Sequence, residues 1–203
     1  MNFFTKAKAV LTEPTKFFQG LKKEKSLLPS FLYFVVWSAI TTVLGVAMYF
    51  LLRPIFTAIY TALLGKAYTG FSTPIYLLIA LASYLAELIF SFVVVGIIHV
   101  WILIFGGKNT YVKTYQLVTY ANTPRFVFAW IPFIGFFSWI YGLVLIIIGT
   151  QHVHGVSKTK SLLMYLIPVG LMIVLVLFVC VIALIVLSSL ASSSLATTGS
   201  SLP

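Results

Sequence analysis

YVKTYQLVTYANTPRFVFAWIPFIGFFSWIYGLVLIIIGTQHV, residues 111–153, is the stretch on which the fold turns. A membrane helix takes roughly 20 apolar residues, so this run is too long for a single crossing. Its middle, Ile131-Pro132-Phe133-Ile134-Gly135, combines a proline and a glycine in the manner of a turn. The reading is two helices, 111–130 and 136–153, joined tightly, with Pro124 inside the first. Membrane helices tolerate such a proline when neighbours satisfy the freed backbone groups.

Outward from this stretch the other crossings follow. The first is 30–52, closed by Arg53-Pro54, with a short helix expected at Ile55–Leu64 in the outer connection. The second is 75–105, closed by Gly106-Gly107-Lys108, and is long enough to tilt. The last is 161–187. The expected fold is all-α: a polytopic bundle of five transmembrane helices at 30–187, behind a short amphipathic segment and ahead of a Ser/Thr-rich disordered tail at 188–203. Composition agrees. Of 203 residues, 61% are hydrophobic and 8% charged, with a mean hydropathy of +1.11, whereas soluble domains carry about 25% charged residues. The acidic residues are Glu13, Glu24 and Glu87 alone, too few for a soluble surface.

Charge sets the orientation, because cytoplasmic loops collect Lys and Arg. Five crossings with the N-terminus inside gather Lys6, Lys8, Lys16, Lys22, Lys23, Lys25, Lys108, Lys113, Lys158 and Lys160 on one side. They leave Arg53 and Lys66 outside and Arg125 in the membrane. The C-terminus is then outside. The net charge of +10 thus belongs to anionic lipid headgroups, at about 1 kcal/mol per basic residue near the surface, and not to nucleic acid. Residues 1–29 pair aromatics (Phe3-Phe4, Phe17-Phe18) with lysines, the pattern of amphipathic helices lying at the inner interface. The first apolar run lacks the small-x-small cleavage site of a signal peptide and is expected to be retained.

Association between helices already in lipid relies on small residues and interhelical hydrogen bonds. Ser83, Glu87, Ser91 and His99 fall on one line of the second helix, with Val95 in the gap and Ala82 and Ala86 beside it. Gln116, Thr119, Tyr120 and Thr123 share a face of the third. Ser38, Thr41, Thr42 and Gly45 do so on the first, and Ser138, Gly142 and Gly149 mark the fourth. Intramembrane charges are costly, by about 2.5–3.5 kcal/mol on insertion scales. Glu87 and Arg125 are therefore expected to pair in the outer half of the bilayer. Such a pair fixes helix register; the competing reading is an ion, proton or substrate path.

Catalysis is not expected. His-Glu-x-x-His, Gly-x-Ser-x-Gly and phosphate-loop patterns are absent. His152 and His154, two residues apart, diverge on a helix and lack a nearby thiolate or carboxylate, so neither a metal nor another cofactor is expected. Cys180 lies in an apolar run.

Three motifs carry a resemblance. The first is Leu11-Thr12-Glu13-Pro14-Thr15-Lys16-Phe17-Phe18, followed by Ser26-Leu27-Leu28-Pro29. The second is Phe105-Gly106-Gly107-Lys108 with Tyr115-Gln116-Leu117-Val118-Thr119-Tyr120-Ala121-Asn122-Thr123-Pro124. The third is Ile148-Gly149-Thr150-Gln151-His152-Val153-His154-Gly155-Val156-Ser157-Lys158-Thr159-Lys160. In this order and spacing, over Leu11–Gly170, the chain resembles the Yip (Ypt-interacting protein) domain family. Their physics is legible without the name. Gly106-Gly107 permits a tight inner turn, Gly155 a turn after the fourth helix, and Ser157 a cap for the fifth. The resemblance implies five crossings and a cytoplasmic N-terminus. It also implies a non-enzymatic, membrane-organising or trafficking-type scaffold that binds other membrane proteins or itself. Eukaryotic members bind small GTPases and have a longer region before the first crossing. With residues 1–29 there, this chain resembles the short prokaryotic members of the cell membrane, and GTPase binding is not expected to carry over. The alternative function is a small channel, transporter or lipid-translocating protein built on Glu87 and Arg125.

Overall fold

The computed structural model describes residues 2–65 and 70–199. Lys66, counted above among the outer charges, and residues 200–203 of the expected tail lie outside them. The described residues are helical in eight α-helices and one 3-10 turn, without a strand: α1 Phe3–Thr12, α2 Pro14–Gly20, a 3-10 turn Leu21–Lys23, α3 Leu28–Leu64, α4 Thr73–Ile104, α5 Tyr111–Ala121, α6 Thr123–Phe128, α7 Ile134–His154 and α8 Lys158–Gly199. The chain divides into two compact units, residues 1–161 and 162–203.

Among the described residues four helices are long and apolar enough to cross a membrane: Leu28–Leu64, Thr73–Ile104, Ile134–His154 and Lys158–Val186. Two differ in extent from the sequence reading. Arg53-Pro54 does not close α3, which runs through Pro54 to Leu64 and ends at Gly65 with φ +63°. A proline removes one backbone hydrogen bond and crowds one carbonyl, and the apolar residues on both sides keep the helix going in lipid. Likewise α8 continues past Ser188 to Gly199, where Leu190, Ala191, Leu195 and Ala196 keep helix formers among the serines.

The 111–130 segment is two helices, not one. α5 ends at Ala121 and α6 begins at Thr123, because Pro124 cannot donate to the Tyr120 carbonyl. The Thr123 hydroxyl donates to that carbonyl instead, at 2.6 Å. The turn at Ile131-Pro132-Phe133 then reverses the chain into α7, with Phe133 at φ +65° and the Gly135 N–H donating to the Ile131 carbonyl at 2.9 Å. Every residue of α5 from Thr114 to Ala121 is buried. It packs against α3, α4 and α7, which explains how a helix carrying Lys113, Gln116 and Thr119 belongs to an otherwise apolar bundle: its polar groups face protein.

The N-terminal helices bury part of their apolar face against the bundle. Ala7, Val10, Phe18 and Leu21 are buried, α2 packs on α7, and α1 touches α5 and α6. Phe3 stacks on Tyr33 and Phe4 meets Trp37 edge-on. Protein aromatics thus cover part of the apolar stripe, Phe4 remaining 71% exposed, while Lys8, Lys16, Lys22, Lys23 and Lys25 stay exposed.

Candidate functional site

Three polar constellations sit in the first unit. The first holds the N-terminal segment. Lys6 Nζ lies 3.0 Å from Glu24 Oε2, with side chains only 18% and 20% exposed. Tyr120 Oη donates to Glu24 Oε1 at 2.9 Å and accepts from Lys6 Nζ at 2.9 Å. The triangle is closed, and each bond has an ionised partner, which makes it roughly twice as strong as a neutral one. Beside it, Lys113 Nζ donates to the carbonyls of Leu21, at 2.6 Å, and of Glu24. Gln116 Nε2 donates to the carbonyls of Glu24 and Ser26 at 3.0 and 2.8 Å. The end of the 3-10 turn is thereby held by two α5 side chains one helical turn apart. Tyr141 Oη fastens the end of α1 by donating to the Leu11 carbonyl at 2.7 Å. By contrast Glu13 and Lys16 pair at 3.0 Å on the surface, both exposed, an arrangement worth little.

A glycine hollow completes this docking. A side chain at Gly149 would place its Cβ 2.2 Å from Leu117 Cδ1 and 3.1 Å from two ring atoms of Phe18. Only a hydrogen allows α2, α5 and α7 to meet there.

The second constellation ties the α4–α5 loop to the end of α7. His99 Nδ1 and Thr114 Oγ1 are hydrogen-bonded at 2.7 Å, and Thr114 Oγ1 and His154 Nε2 at 3.0 Å. A hydroxyl has one hydrogen and two lone pairs, so Thr114 can bridge both imidazoles while donating to at most one of them. Asn109 Nδ2 donates to the Val153 carbonyl, and the Lys108 N–H to that of His154 at 3.3 Å. Gly106, at φ +90°, and Gly155, at φ +69°, supply the left-handed backbone of the two turns. A Cβ on Gly107 would lie 3.0 Å from the Ile102 carbonyl oxygen and 3.3 Å from His154 Nδ1. Pro14 opens α2 at its first turn, and the Ser157 carbonyl accepts from the Ser161 N–H at 2.9 Å as α8 begins.

The third is a groove of about 540 Å³ between α4 and α5, reaching α6 at Arg125 and lined among others by Ser83, Ala86, Glu87, Ser91, Thr119 and Asn122. Arg125 Nη2 stands 3.8 Å from Glu87 Oε1, with side chains 56% and 36% exposed. That is an ion-pair contact too long for a hydrogen bond.

The residues singled out from the sequence therefore separate. Ser83, Glu87, Ser91 and Arg125 share the groove, whereas His99, from the same line of α4, belongs to the Thr114 bridge. The α5 stripe divides: Gln116 and Tyr120 meet the N-terminal segment, and Thr119 lines the groove. Thr123 Oγ1 lies 3.0 Å from Tyr33 Oη, and Ser91 Oγ 3.1 Å from Tyr115 Oη. His152 is half-buried and takes no part in the His99–Thr114–His154 chain. Sequence reading missed Lys6, Glu24, Lys113 and Thr114. Glu24 carried one usable signal: an acid within a run of lysines, Lys22-Lys23-Glu24-Lys25, is a natural acceptor for an intramolecular pair.

A family model described as the Yip1 domain matches residues 8–181, a span holding all three constellations except Lys6. Comparison with curated proteins gives no match, and neither does comparison with solved structures.

Proposed function

From the premise that this chain belongs to the Yip1 domain family, we propose that it is a non-enzymatic scaffold that organises membrane and holds other membrane proteins or further copies of itself. Its helices are apolar and membrane-capable. In this reading α5–α6 completes a five-crossing fold in a prokaryotic cell membrane, with the N-terminus cytoplasmic and the C-terminus outside. The supporting observation is the docking of the basic N-terminal segment. The Lys6–Glu24–Tyr120 triangle and the Phe18 seat against Gly149 fix a short basic arm to the bundle. The arm then presents Lys8, Lys16, Lys22, Lys23 and Lys25 outward as a preformed cationic surface. Such a surface gains affinity for anionic headgroups, about 1 kcal/mol per residue, without paying to order a tail on binding.

Extraction of the full-length protein with its surrounding bilayer, followed by quantitative identification of co-isolated proteins, tests the scaffold. The same membrane partners should recur between preparations, and recovery of the chain alone each time would argue strongly against it. A conduit through the Glu87–Arg125 region is the second reading, favoured by the half-exposed pair in its groove. Ion or lipid flux in reconstituted liposomes that is abolished by Glu87→Gln would put that reading first.

A further inference from the structure

Most polar side chains inside this bundle are closed on a partner: Tyr33 with Thr123, Ser91 with Tyr115, Thr114 with two imidazoles, and Thr41 on the Phe126 carbonyl at 2.6 Å. Glu87 and Arg125 are held less closely. They approach each other no nearer than an ion-pair contact of 3.8 Å and keep 36% and 56% of their side chains exposed. Arginine carries five N–H donors and a carboxylate about four acceptor sites, so most of this hydrogen-bonding capacity points into the groove. Hydrocarbon can satisfy none of it, and unsatisfied charges are among the costliest groups to place in a bilayer.

Position and size narrow what fills the groove. Phe34 shares the groove with Glu87 and Arg125, and Tyr84 Oη, one turn before Glu87, donates to the Val35 carbonyl at 3.2 Å. The pair therefore stands level with Phe34, about 9 Å at helical rise from the start of α3 at Leu28, nearer the end that follows the basic N-terminal segment than the far end at Leu64. The volume of about 540 Å³ falls within the usual range of ligand clefts, and its wall mixes the hydroxyls of Ser83 and Thr119 with the apolar Phe90 and Val94.

We propose that this groove binds the headgroup of an aminophospholipid, with the phosphate on Arg125 and the primary ammonium on Glu87. A guanidinium fork matches phosphate geometry, and a carboxylate beside it suits a cation one short link away. A headgroup carrying both charges satisfies the pair together. A choline headgroup offers Glu87 no N–H to accept, and a glycerol headgroup leaves its carboxylate facing a net negative lipid. The inference does not depend on the scaffold reading, since a bound lipid requires no protein partner.

The test uses full-length protein in nanodiscs of equal parts phosphatidylethanolamine, phosphatidylcholine and phosphatidylglycerol, with retained lipids counted by native mass spectrometry. The wild type should retain phosphatidylethanolamine about tenfold over phosphatidylcholine, the ratio expected for one hydrogen bond to a charged group. Glu87→Gln should bring that ratio close to unity, and Arg125→Gln should abolish retention of every phospholipid. Should Arg125→Gln disturb the helices, Ala86→Leu decides the matter: Ala86 lines the groove, and a larger side chain fills it with both charges in place, so retention should be lost. Equal retention of the three lipids by the wild type, a preference for phosphatidylglycerol, or undiminished retention in Ala86→Leu would overturn the proposal.

Discussion

Gly149→Ala sets two effects of known size against each other. In a helix interior, alanine is favoured over glycine by about 1 kcal/mol, so at an open position the substitution would stabilise α7. At position 149 the new methyl would lie 2.2 Å from Leu117 Cδ1 and 3.1 Å from Phe18 Cδ1 and Cε1. A flexible leucine end can often move aside, but Leu117 and Phe18 are both fully buried. Inserting a methyl into a packed site typically costs about 1–3 kcal/mol. The expected net result is a loss of up to about 2 kcal/mol, with faster hydrogen exchange at the α2 amides as Phe18 is displaced. Denaturant unfolding of the full-length protein in mixed micelles, followed by helix content, measures the first; exchange mass spectrometry measures the second. Leu117→Ala supplies the internal check. Alone it should cost about 2–5 kcal/mol. Combined with Gly149→Ala it should cost less than the sum by about 1–3 kcal/mol, because the added methyl occupies part of the void. If Gly149→Ala instead gains the full propensity term and adds independently to Leu117→Ala, the three-helix contact does not exist as described.

Tyr120→Phe removes the hydroxyl that donates to Glu24 and accepts from Lys6; a loss of about 1.5–3 kcal/mol is expected, and it should largely vanish in a Glu24→Gln background by a double-mutant cycle. Thr114→Val leaves His99 Nδ1 and His154 Nε2 without the bridging hydroxyl. It should cost about 1–3 kcal/mol for each imidazole left unpaired, with the nitrogen resonances of both rings moving together. For the five-crossing proposal, single cysteines are introduced in a Cys180→Ser background and treated with an impermeant maleimide on intact cells. Ser72→Cys should label from outside while Lys108→Cys and Lys158→Cys stay protected; external labelling at position 158 would exclude five crossings.

Much of this architecture is written locally. The Pro132–Gly135 reversal and the left-handed turns at Gly106 and Gly155 each follow from one residue's backbone chemistry, and each stands where the sequence puts it, whereas Pro124, expected inside one helix, separates α5 from α6. Pro54 shows the limit of that logic. The same residue type that ends α5 sits inside α3, because lipid-facing apolar residues on both sides favour continuation, whereas Thr123 offers α5 a side-chain substitute for the lost bond. The docking of residues 3–23 was not legible for a different reason. An amphipathic stripe records that an apolar face will be covered, not by what. Lipid and the aromatic wall of Tyr33, Trp37 and Tyr120 are equivalent on that criterion, and only the tertiary placement of Glu24 and Gln116 distinguishes them. For the same reason one polar stripe on α5 was read as a single face, although Tyr120 and Thr119 serve different neighbours.

The two polar regions of the bundle differ in construction. At the lysine-rich end charged and amide groups find partners at hydrogen-bonding distance, and glycines bring helices close enough for those partners to reach. A closed network in a packed region has few alternative arrangements, which suits a part whose task is to hold a shape. Beyond it, Glu87 and Arg125 touch only at 3.8 Å and open onto a groove, an arrangement suited to a group that arrives and leaves. Pro14, Gly106, Gly107, Gly149, His154, Gly155 and Ser157, which carry the family motifs, belong to the first region, while Glu87 stands outside every motif and Arg125 directly follows one. Membership of the Yip1 domain family therefore bears on the clamp and leaves the groove to be judged on its own geometry. A variant that empties the groove should leave the arm docked, and one that frees the arm should leave the lipid preference intact.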